Sequence, residues 1–143
     1  MPESADITWS VRIDGAIDRV YHFLATDEGR AQFWAESAVE SDGKVTFKFP
    51  SGETYEGKII SDDPPERFVI DYFGSPVSFL LQEDESEGTI LTMTHHDVDE
   101  DIRCETMAGW VSVLLALKAV INFSVDLRNH DPVYTWNEGY VGN

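Results

Sequence analysis

Apolar residues fall at every second position of Ile7–Ile13, and polar residues fill the positions between them. This alternation predicts a half-buried strand. An Asp14-Gly15 turn follows, and the apolar residues of segment 17–24 then recur at helical spacing. Thr26 is a candidate N-cap for a second, short helix that ends near Phe33-Trp34. The chain is therefore predicted to open with one strand and two short helices.

The middle of the chain alternates in the same way over several short segments. These segments are 45–49, 54–61, 67–73, 77–82 and 89–95. Turn-forming residues lie between consecutive segments, as in Pro50-Ser51-Gly52, Pro64-Pro65 and Gly74-Ser75-Pro76. Consecutive short strands joined in this way predict an antiparallel meander.

A long apolar helix is the last predicted element, from Glu105 to about Arg128. Its apolar residues keep helical spacing, and further ones widen the apolar arc beyond a single stripe. A membrane span is disfavoured, because Lys118 would lie near the bilayer centre at a cost of about 2.5–3.5 kcal/mol and no second span exists. We expect a helix buried along most of its circumference, with the tail or a partner covering its back.

These elements predict a single α+β domain over residues 1–143, with a core at 7–128 and an aromatic tail at 129–143. The sheet is expected to be curved and antiparallel, with six or seven strands, and the long helix to lie across it. Cys104 is the only cysteine, which excludes an intrachain disulfide. The first residues lack the basic and apolar regions of a signal peptide, so the expected location is the cytoplasm.

The excess of acidic over basic residues disfavours some classes of binding partner. Asp and Glu number 27 against 10 Lys and Arg, for a formal net charge of −17. Such a surface repels phosphate backbones and anionic lipids, so neither nucleic acid nor a membrane surface is an expected partner. The acids are spread from Glu3 to Glu138, which favours solubility in high salt over attraction of a cationic partner. Halophilic adaptation is the resulting hypothesis.

Three segments of the sequence carry a family resemblance. Segment 16–34 ends in Phe33-Trp34, segment 63–72 reads DPPERFVIDY, and segment 88–95 is followed by Gly109-Trp110. In this order they resemble the START-like (birch-pollen-allergen-like, SRPBCC) superfamily, in the branch named after the C-terminal domain of the activator of heat-shock-protein 90 ATPase. The resemblance implies a helix-grip fold with a pocket between long helix and sheet, and it implies no shared reaction. The aromatic tail departs from that branch and is expected to fold back or to meet a second copy.

Two adjacent histidines are the first candidates for chemistry. His95 and His96 point to opposite faces of a predicted strand, so they cannot chelate one metal ion together. His22 and His130 lie far from them in sequence, and no metal or cofactor is expected. His95 shares a strand face with Met93. There it is either a pocket residue that orients a ligand or acts as a general base, or a hydrogen-bonded core histidine.

Large side chains on the predicted inner faces are the better indication of a site. The candidates for binding a ligand are Trp9, Phe33, Trp34, Phe47, Phe49, Tyr55, Tyr72, Phe79, Met93, His95, Trp110 and Leu114. Ligand cavities are mainly apolar and carry a few polar groups that fix orientation. Tyr55, Tyr72, His95 and Trp34 are the candidates for those groups. A filled core uses the same residues, so the pattern leaves both interpretations open.

Non-catalytic binding of a small apolar or amphipathic molecule, between sheet and long helix, is the leading hypothesis for function. One alternative is a chaperone-associated interaction module that contacts a chaperone or forms a homodimer. The other is a polyketide-cyclase-like enzyme that uses His95 and a tyrosine for acid–base chemistry. The sequence has no nucleophile elbow or phosphate-binding glycine loop, and no catalytic residue is assigned.

Overall fold

Seven strands and three helices form residues 4–142, the part of the chain that the computed structural model describes. The strands are β1 Ser4–Ile13, β2 Ser37–Ser41, β3 Lys44–Lys48, β4 Thr54–Asp63, β5 Arg67–Tyr72, β6 Ser75–Glu83 and β7 Thr89–Asp99. The helices are α1 Ile17–Ala25, α2 Asp27–Arg30 and α3 Arg103–Phe123. Two 3₁₀ turns lie at Glu100–Ile102 and Trp136–Glu138.

The strands form one antiparallel sheet in the order β1-β7-β6-β5-β4-β3-β2. Strands β2 to β7 follow one another as a meander, and the last strand, β7, also pairs with the first strand, β1. The predicted α+β helix-grip architecture is confirmed. Strand β2 is missing from the prediction, because its sequence SAVES hardly alternates and only Ala38 is fully buried in it.

One face of the sheet carries the core. Phe68 on β5 pairs with Phe79 on β6, and Phe79 pairs with Met93 on β7. Directly paired residues of antiparallel strands share a face, and all three of these side chains are buried. The ring of Phe79 lies 5.9 Å from the ring of Trp110. The alternation in the sequence thus places a row of large apolar side chains beneath α3.

Helix α3 ends earlier than the sequence pattern predicts. Its last residue is Phe123 and not a residue near Arg128, because Ser124 adopts the left-handed conformation with φ of 56°. The Ser124 N–H donates to the carbonyls of Ala119 and Val120, which closes the last helical turn. The apolar residues after Ser124 continue the helical spacing in the sequence without continuing the helix.

The apolar arc of α3 is only partly covered. Trp110 and Leu114 are buried against the sheet, whereas Val111 and Leu115 are exposed. The expectation of burial around most of the circumference is therefore wrong for this outer face. Within residues 4–142, Glu100–Phe123 has the length and hydropathy of a membrane span. It nevertheless forms part of the core through its buried side, so it is the grip helix of a globular domain.

The tail after α3 folds back onto the domain and does not follow the outer face of the helix. The Arg128 guanidinium donates to the carbonyls of Ala31 at 2.8 Å and Ala35 at 2.9 Å. Its side chain is 5% exposed. Further along, the indole N–H of Trp136 donates to the carboxylate of Glu105 at 3.4 Å. The tail thereby joins the segment between α2 and β2 to the start of α3.

Candidate functional site

A cavity of about 720 Å³ opens between the sheet and the first half of α3. Its lining is drawn from segments 49–53, 72–75, 95–99, 102–113 and 135–137, together with Trp34. These are the β3–β4 turn, the β5–β6 turn, the end of β7, the start of α3 and the tail. The volume lies within the range of roughly 300–1,000 Å³ that is usual for sites of small molecules.

Gly109 leaves space open on the helix side of the cavity. It lies inside α3, and a β-carbon placed on it would have no atom within 4 Å apart from those of its chain neighbours and of the backbone of its own helix. Glycine in a helix interior costs about 1 kcal/mol relative to alanine. The glycine therefore weakens the helix and fills none of the space beside it, which is the reverse of what a tightly packed core requires.

The inner wall is a group of aromatic rings around Trp34. This residue follows α2 in a turn where its backbone N–H donates to the Arg30 carbonyl at 2.9 Å. Its indole ring lies 4.9 Å from the ring of Phe47, 5.5 Å from that of Tyr72 and 5.9 Å from that of Trp110. Rings at these separations attract one another and hold a rigid apolar surface.

His95 is held between Trp110 and Ser75 in one tautomer. Its Nδ1 lies 3.0 Å from the Trp110 indole nitrogen, and its Nε2 lies 2.9 Å from the Ser75 hydroxyl. An indole N–H is only a donor, so Nδ1 must accept and the proton must lie on Nε2. Burial lowers the pKa of His95, against a weaker opposing effect of the Tyr72 backbone. The imidazole is therefore neutral, and its Nε2–H donates to Ser75.

This tautomer leaves hydroxyl protons for a ligand. The Ser75 oxygen accepts from His95, so the Ser75 proton is free to point into the cavity that the residue lines. Burial raises the pKa of the Tyr72 hydroxyl, against a smaller effect of the neighbouring Trp34 N–H, so this hydroxyl stays protonated. The Trp34 N–H is buried beside this hydroxyl, but among the residues that the structure describes it meets no acceptor with the geometry of a full hydrogen bond. The interior thus offers donors to a neutral acceptor.

The opening of the cavity is acidic. Glu53, Asp97, Asp99 and Glu105 line it and are exposed, and we call these four residues the acidic mouth. The described residues that line the cavity include no lysine or arginine. Within residues 4–142, no side chain of the acidic mouth forms an ion pair. The mouth therefore presents uncompensated carboxylates to an incoming molecule.

The structure divides the predicted binding residues into three groups. Those that line the cavity are Trp34, Phe49, Tyr72, His95 and Trp110. Those that are buried in the surrounding core without lining it are Phe33, Phe47, Phe79, Met93 and Leu114. The third group is Tyr55 and Trp9, which neither line the cavity nor are fully buried in the core. The Tyr55 hydroxyl donates to Asp71, and Trp9 is 37% exposed. Trp9 lies on β1, which is at one edge of the sheet that the described residues form.

Several lining residues escape sequence reasoning. Ser75 lies in a sequence typical of a turn, and the residues of the acidic mouth cannot be told from the many other surface acids. Thr135 and Trp136 lie in the tail, which departs from the resembled branch. The alternation of β7 does find His95, because that residue shares the buried face of the strand. The residues missed lie where strands end and turns begin, and hydrophobic patterning carries no information there.

The second histidine of the adjacent pair lies on the other face of β7. His96 contacts Ser78 through Nε2 at 3.1 Å and approaches Asp6 through Nδ1 at 3.4 Å. His95 and His96 therefore serve different sides of the sheet, as the alternation of the strand requires. Among residues 4–142, no group of three potential metal ligands comes together.

Two histidines are expected to titrate on opposite sides of the usual histidine pKa of about 6.5. Burial lowers the pKa of His95, whereas hydrogen bonds to Asp126 and then Glu36 raise the pKa of His130. The stability that His95 confers by staying neutral is lost as the pH falls below about 6.5. The stability that charged His130 confers on the tail is present below about 6.5 and lost as the pH rises through its own pKa.

The measurement is an NMR titration of the imidazole C–H resonances, assigned with the variants His95→Gln and His130→Gln. We expect the two midpoints to lie on either side of the usual value, with that of His130 above that of His95. Coincident midpoints would contradict both hydrogen-bond arrangements. A reversed order would mean that His95 is not buried in solution or that His130 lacks its carboxylate partners there.

The curved sheet, the long helix across it and the cavity between them define a helix-grip domain of the START-like class. Solved structures agree. The solution structure of the Aha1 dimer from Colwellia psychrerythraea has a TM-score of 0.74 at 21% identity, covering 82% of this chain and 96% of that one. A crystal structure from Staphylococcus saprophyticus has a TM-score of 0.76 at 22% identity, with coverages of 86% and 96%. CalU16 of Micromonospora echinospora has a TM-score of 0.68 at 23% identity, with coverages of 81% and 73%.

At these identities the structural likeness shows the fold, and the sequence itself shows the family. The family model described as Activator of Hsp90 ATPase homolog 1-like protein matches residues 14–122. The chain belongs to this family, and the resemblance inferred from its motifs is confirmed. No curated protein matches the sequence.

Proposed function

We propose that this protein binds a small amphipathic molecule in the cavity between the sheet and α3, without transforming it chemically. The apolar part of the ligand lies against the rings around Trp34, and a neutral acceptor on it takes the proton of Ser75. Ligand sites of this kind combine apolar walls with a few polar groups that fix orientation. Trp34, Tyr72 and Trp110 supply the walls, and Ser75 supplies the group that fixes orientation.

The observation that carries the proposal is the open space beside Gly109. A helix that served only to fill the core would gain about 1 kcal/mol from alanine at this position, and a larger residue would gain buried area as well. The space is instead left empty next to aromatic walls. Stability is lower than it need be, and a cavity that receives a ligand accounts for that loss.

A catalytic role for His95 is disfavoured by its hydrogen bonds. A general base must present an unprotonated nitrogen to the substrate. The unprotonated Nδ1 of His95 already accepts from Trp110, and Nε2 carries the proton that Ser75 accepts. The arrangement also has the wrong sense for a serine nucleophile, whose hydroxyl must donate to histidine. The cyclase-like alternative therefore lacks its base in this arrangement.

Contact with another protein is the second candidate, and the exposed apolar face of α3 is the observation that favours it. Val111, Leu115 and Phe123 are exposed on this helix. One solved structure of the same fold is of a dimer. A chaperone or a second copy of the chain would cover this face without using the cavity. The two functions are therefore separable by variants that close the cavity alone.

The test is a fluorescence titration with N-phenyl-1-naphthylamine, an uncharged probe that brightens in apolar surroundings. We expect saturable binding with one probe per chain, because the cavity of about 720 Å³ holds one such molecule. Bound probe should also raise the melting temperature, since a ligand that binds only the folded state stabilises it. The salt concentration is kept at a value where circular dichroism shows the native fold.

Two results would overturn the proposal. The first is the absence of a saturable signal at probe concentrations up to its solubility limit. The second is linear, non-saturating brightening without a shift of the melting temperature, which indicates adsorption to exposed apolar surface. The unfolded chain in denaturant serves as the background for both readings.

A further inference from the structure

We propose that the cavity selects organic cations, namely amphipathic molecules whose amine lies at the acidic mouth and whose apolar body lies among the aromatic rings. This proposal rests on the proposed function and further specifies the charge of the ligand. Every charged side chain on the lining is a carboxylate, from Glu53 on the β3–β4 turn to Glu105 on α3. A cation that enters this opening meets attraction from several sides, and an anion meets repulsion.

Within residues 4–142, no positive group on the lining offsets these carboxylates. Among the described residues on the lining, only His95 can become positively charged, and its burial together with the Trp110 hydrogen bond keeps it neutral. Arg103 lies at the start of α3 but does not line the cavity, and it donates to the backbone carbonyl of Asp6. A ligand with a carboxylate or phosphate would therefore enter the cavity without a cationic partner, which is strongly unfavourable.

The aromatic residues at the opening strengthen the case for a cation. Trp136 contacts Glu105, and its indole lies on the cavity lining. Phe49 and Phe73 lie on the lining from the two turns, with their rings 6.0 Å apart. Organic ammonium groups are recognised by aromatic faces with carboxylates nearby. Simple charge excess on a surface does not require rings at the same place.

The donors inside the cavity set the orientation of the ligand. Ser75 offers its hydroxyl proton, and the buried N–H of Trp34 meets no acceptor with the geometry of a full hydrogen bond in the described part of the chain. Donors bind neutral acceptors such as carbonyl, ether or hydroxyl oxygens, and they repel an ammonium group. The ammonium therefore lies outward at the acidic mouth, and the neutral end lies inward.

The experiment compares three ligands that have the same apolar body and end in groups of different charge. They share a 1-naphthylmethyl group and are 1-naphthylmethylamine, which is a cation at neutral pH, 1-naphthylmethanol, which is neutral, and 1-naphthylacetic acid, which is an anion. Each competes with N-phenyl-1-naphthylamine for the cavity, so the readout reports binding at the same place. We expect the amine to displace the probe at a concentration about tenfold lower than the alcohol, and the acid to displace it more weakly than both.

Matched variants separate the acidic mouth from the general negative charge of the protein. Glu53→Gln combined with Glu105→Gln removes half of the four mouth charges and should lower the amine-to-alcohol ratio to about threefold. Glu56→Gln combined with Glu85→Gln removes the same charge from exposed residues outside the lining and should leave the ratio unchanged. Both proteins are measured at the same ionic strength.

Each outcome decides between the two proposals. If the uncharged probe does not bind, the proposed function fails and this inference fails with it. If the probe binds but the amine competes no better than the alcohol, only the charge selection is wrong. Equal losses of selectivity in the two double variants would likewise overturn the role of the acidic mouth, because they assign the attraction to the whole surface.

Discussion

Replacing Arg30 by methionine is expected to lower the free energy of unfolding by about 2–6 kcal/mol. The Arg30 side chain is completely buried. It donates to the carbonyls of Ala38 at 3.0 Å and Leu24 at 3.1 Å, and to the Asp27 carboxylate at 2.7 Å. Methionine fills similar space but donates nothing, so two buried carbonyls lose their partner, at roughly 1–3 kcal/mol each.

The position of Arg30 explains why the effect should be global. Burial lowers the pKa of its guanidinium, against the raising effects of the Asp27 and Glu40 charges, so a considerable desolvation penalty is offset by these charges and the hydrogen bonds. The bonds join the end of α1 to β2 across the short helix α2. The backbone of this same helical segment also holds Trp34 in its turn. Loss of Arg30 therefore loosens one wall of the cavity as well as the fold.

Denaturant unfolding followed by circular dichroism measures the change. Arg67→Met is the matched control, because Arg67 is exposed and the same exchange there should alter the free energy of unfolding by no more than about 0.5 kcal/mol. A loss below about 1 kcal/mol for Arg30→Met would show that the surrounding backbone finds other partners, and the account of this buried cation would be wrong.

Arg30 also illustrates what hydrophobic patterning does and does not predict. The strands on the core face and the amphipathic helices follow from the alternation and the helical spacing, because burial of one face sets both periods. Strand β2 does not follow from the alternation. Its backbone pairs with β3, but its side chains hardly alternate between apolar and polar. Buried polar groups such as Arg30 depend on which carbonyls the folded chain leaves nearby, and a linear sequence does not show this.

The end of α3 and the tail show a second limit. Val125 and Leu127 extend the helical spacing, yet both lie beyond the left-handed Ser124 and are exposed. A single backbone conformation therefore overrides the apolar period. The tail residue Arg128 reaches back to Ala31 and Ala35, nearly a hundred positions earlier in the chain. Long-range hydrogen bonds of this kind leave no periodic trace in the sequence.

The candidate site contains residues that the hydrophobic pattern predicts, and it also depends on features that the pattern does not show. Trp34, Tyr72 and Trp110 are aromatic residues on predicted inner faces, so the pattern finds them. The same pattern also selects Phe47 and Phe79, which are core residues that do not line the cavity. Cavity walls and filled cores use the same side chains. A cavity differs from a filled core by space that no side chain occupies, and this space lies beside Gly109.

Replacing Gly109 by phenylalanine is expected to weaken binding of N-phenyl-1-naphthylamine at least about tenfold, a loss of about 1.4 kcal/mol in binding free energy. A β-carbon at this position meets no atom within 4 Å outside its own helix backbone and chain neighbours, and Gly109 lines the cavity, so we expect the new ring to extend into the cavity. The ring then occupies volume that the probe needs beside Trp110. Because a helix-breaking glycine is removed and apolar area is buried, the free energy of unfolding should stay the same or rise.

Ala108→Phe is the matched control, since Ala108 is the preceding residue of the same helix and is exposed. It adds the same ring outside the cavity and should leave probe affinity unchanged. Gly109→Ala isolates the helix effect, and it should raise the free energy of unfolding by about 1 kcal/mol while leaving most of the cavity open. If Gly109→Phe binds the probe as tightly as the unmodified chain while remaining folded, the ligand site is not the cavity beneath α3. If Gly109→Ala destabilises the fold, the space beside this glycine is already filled in solution, and the physical basis of the proposed function is lost.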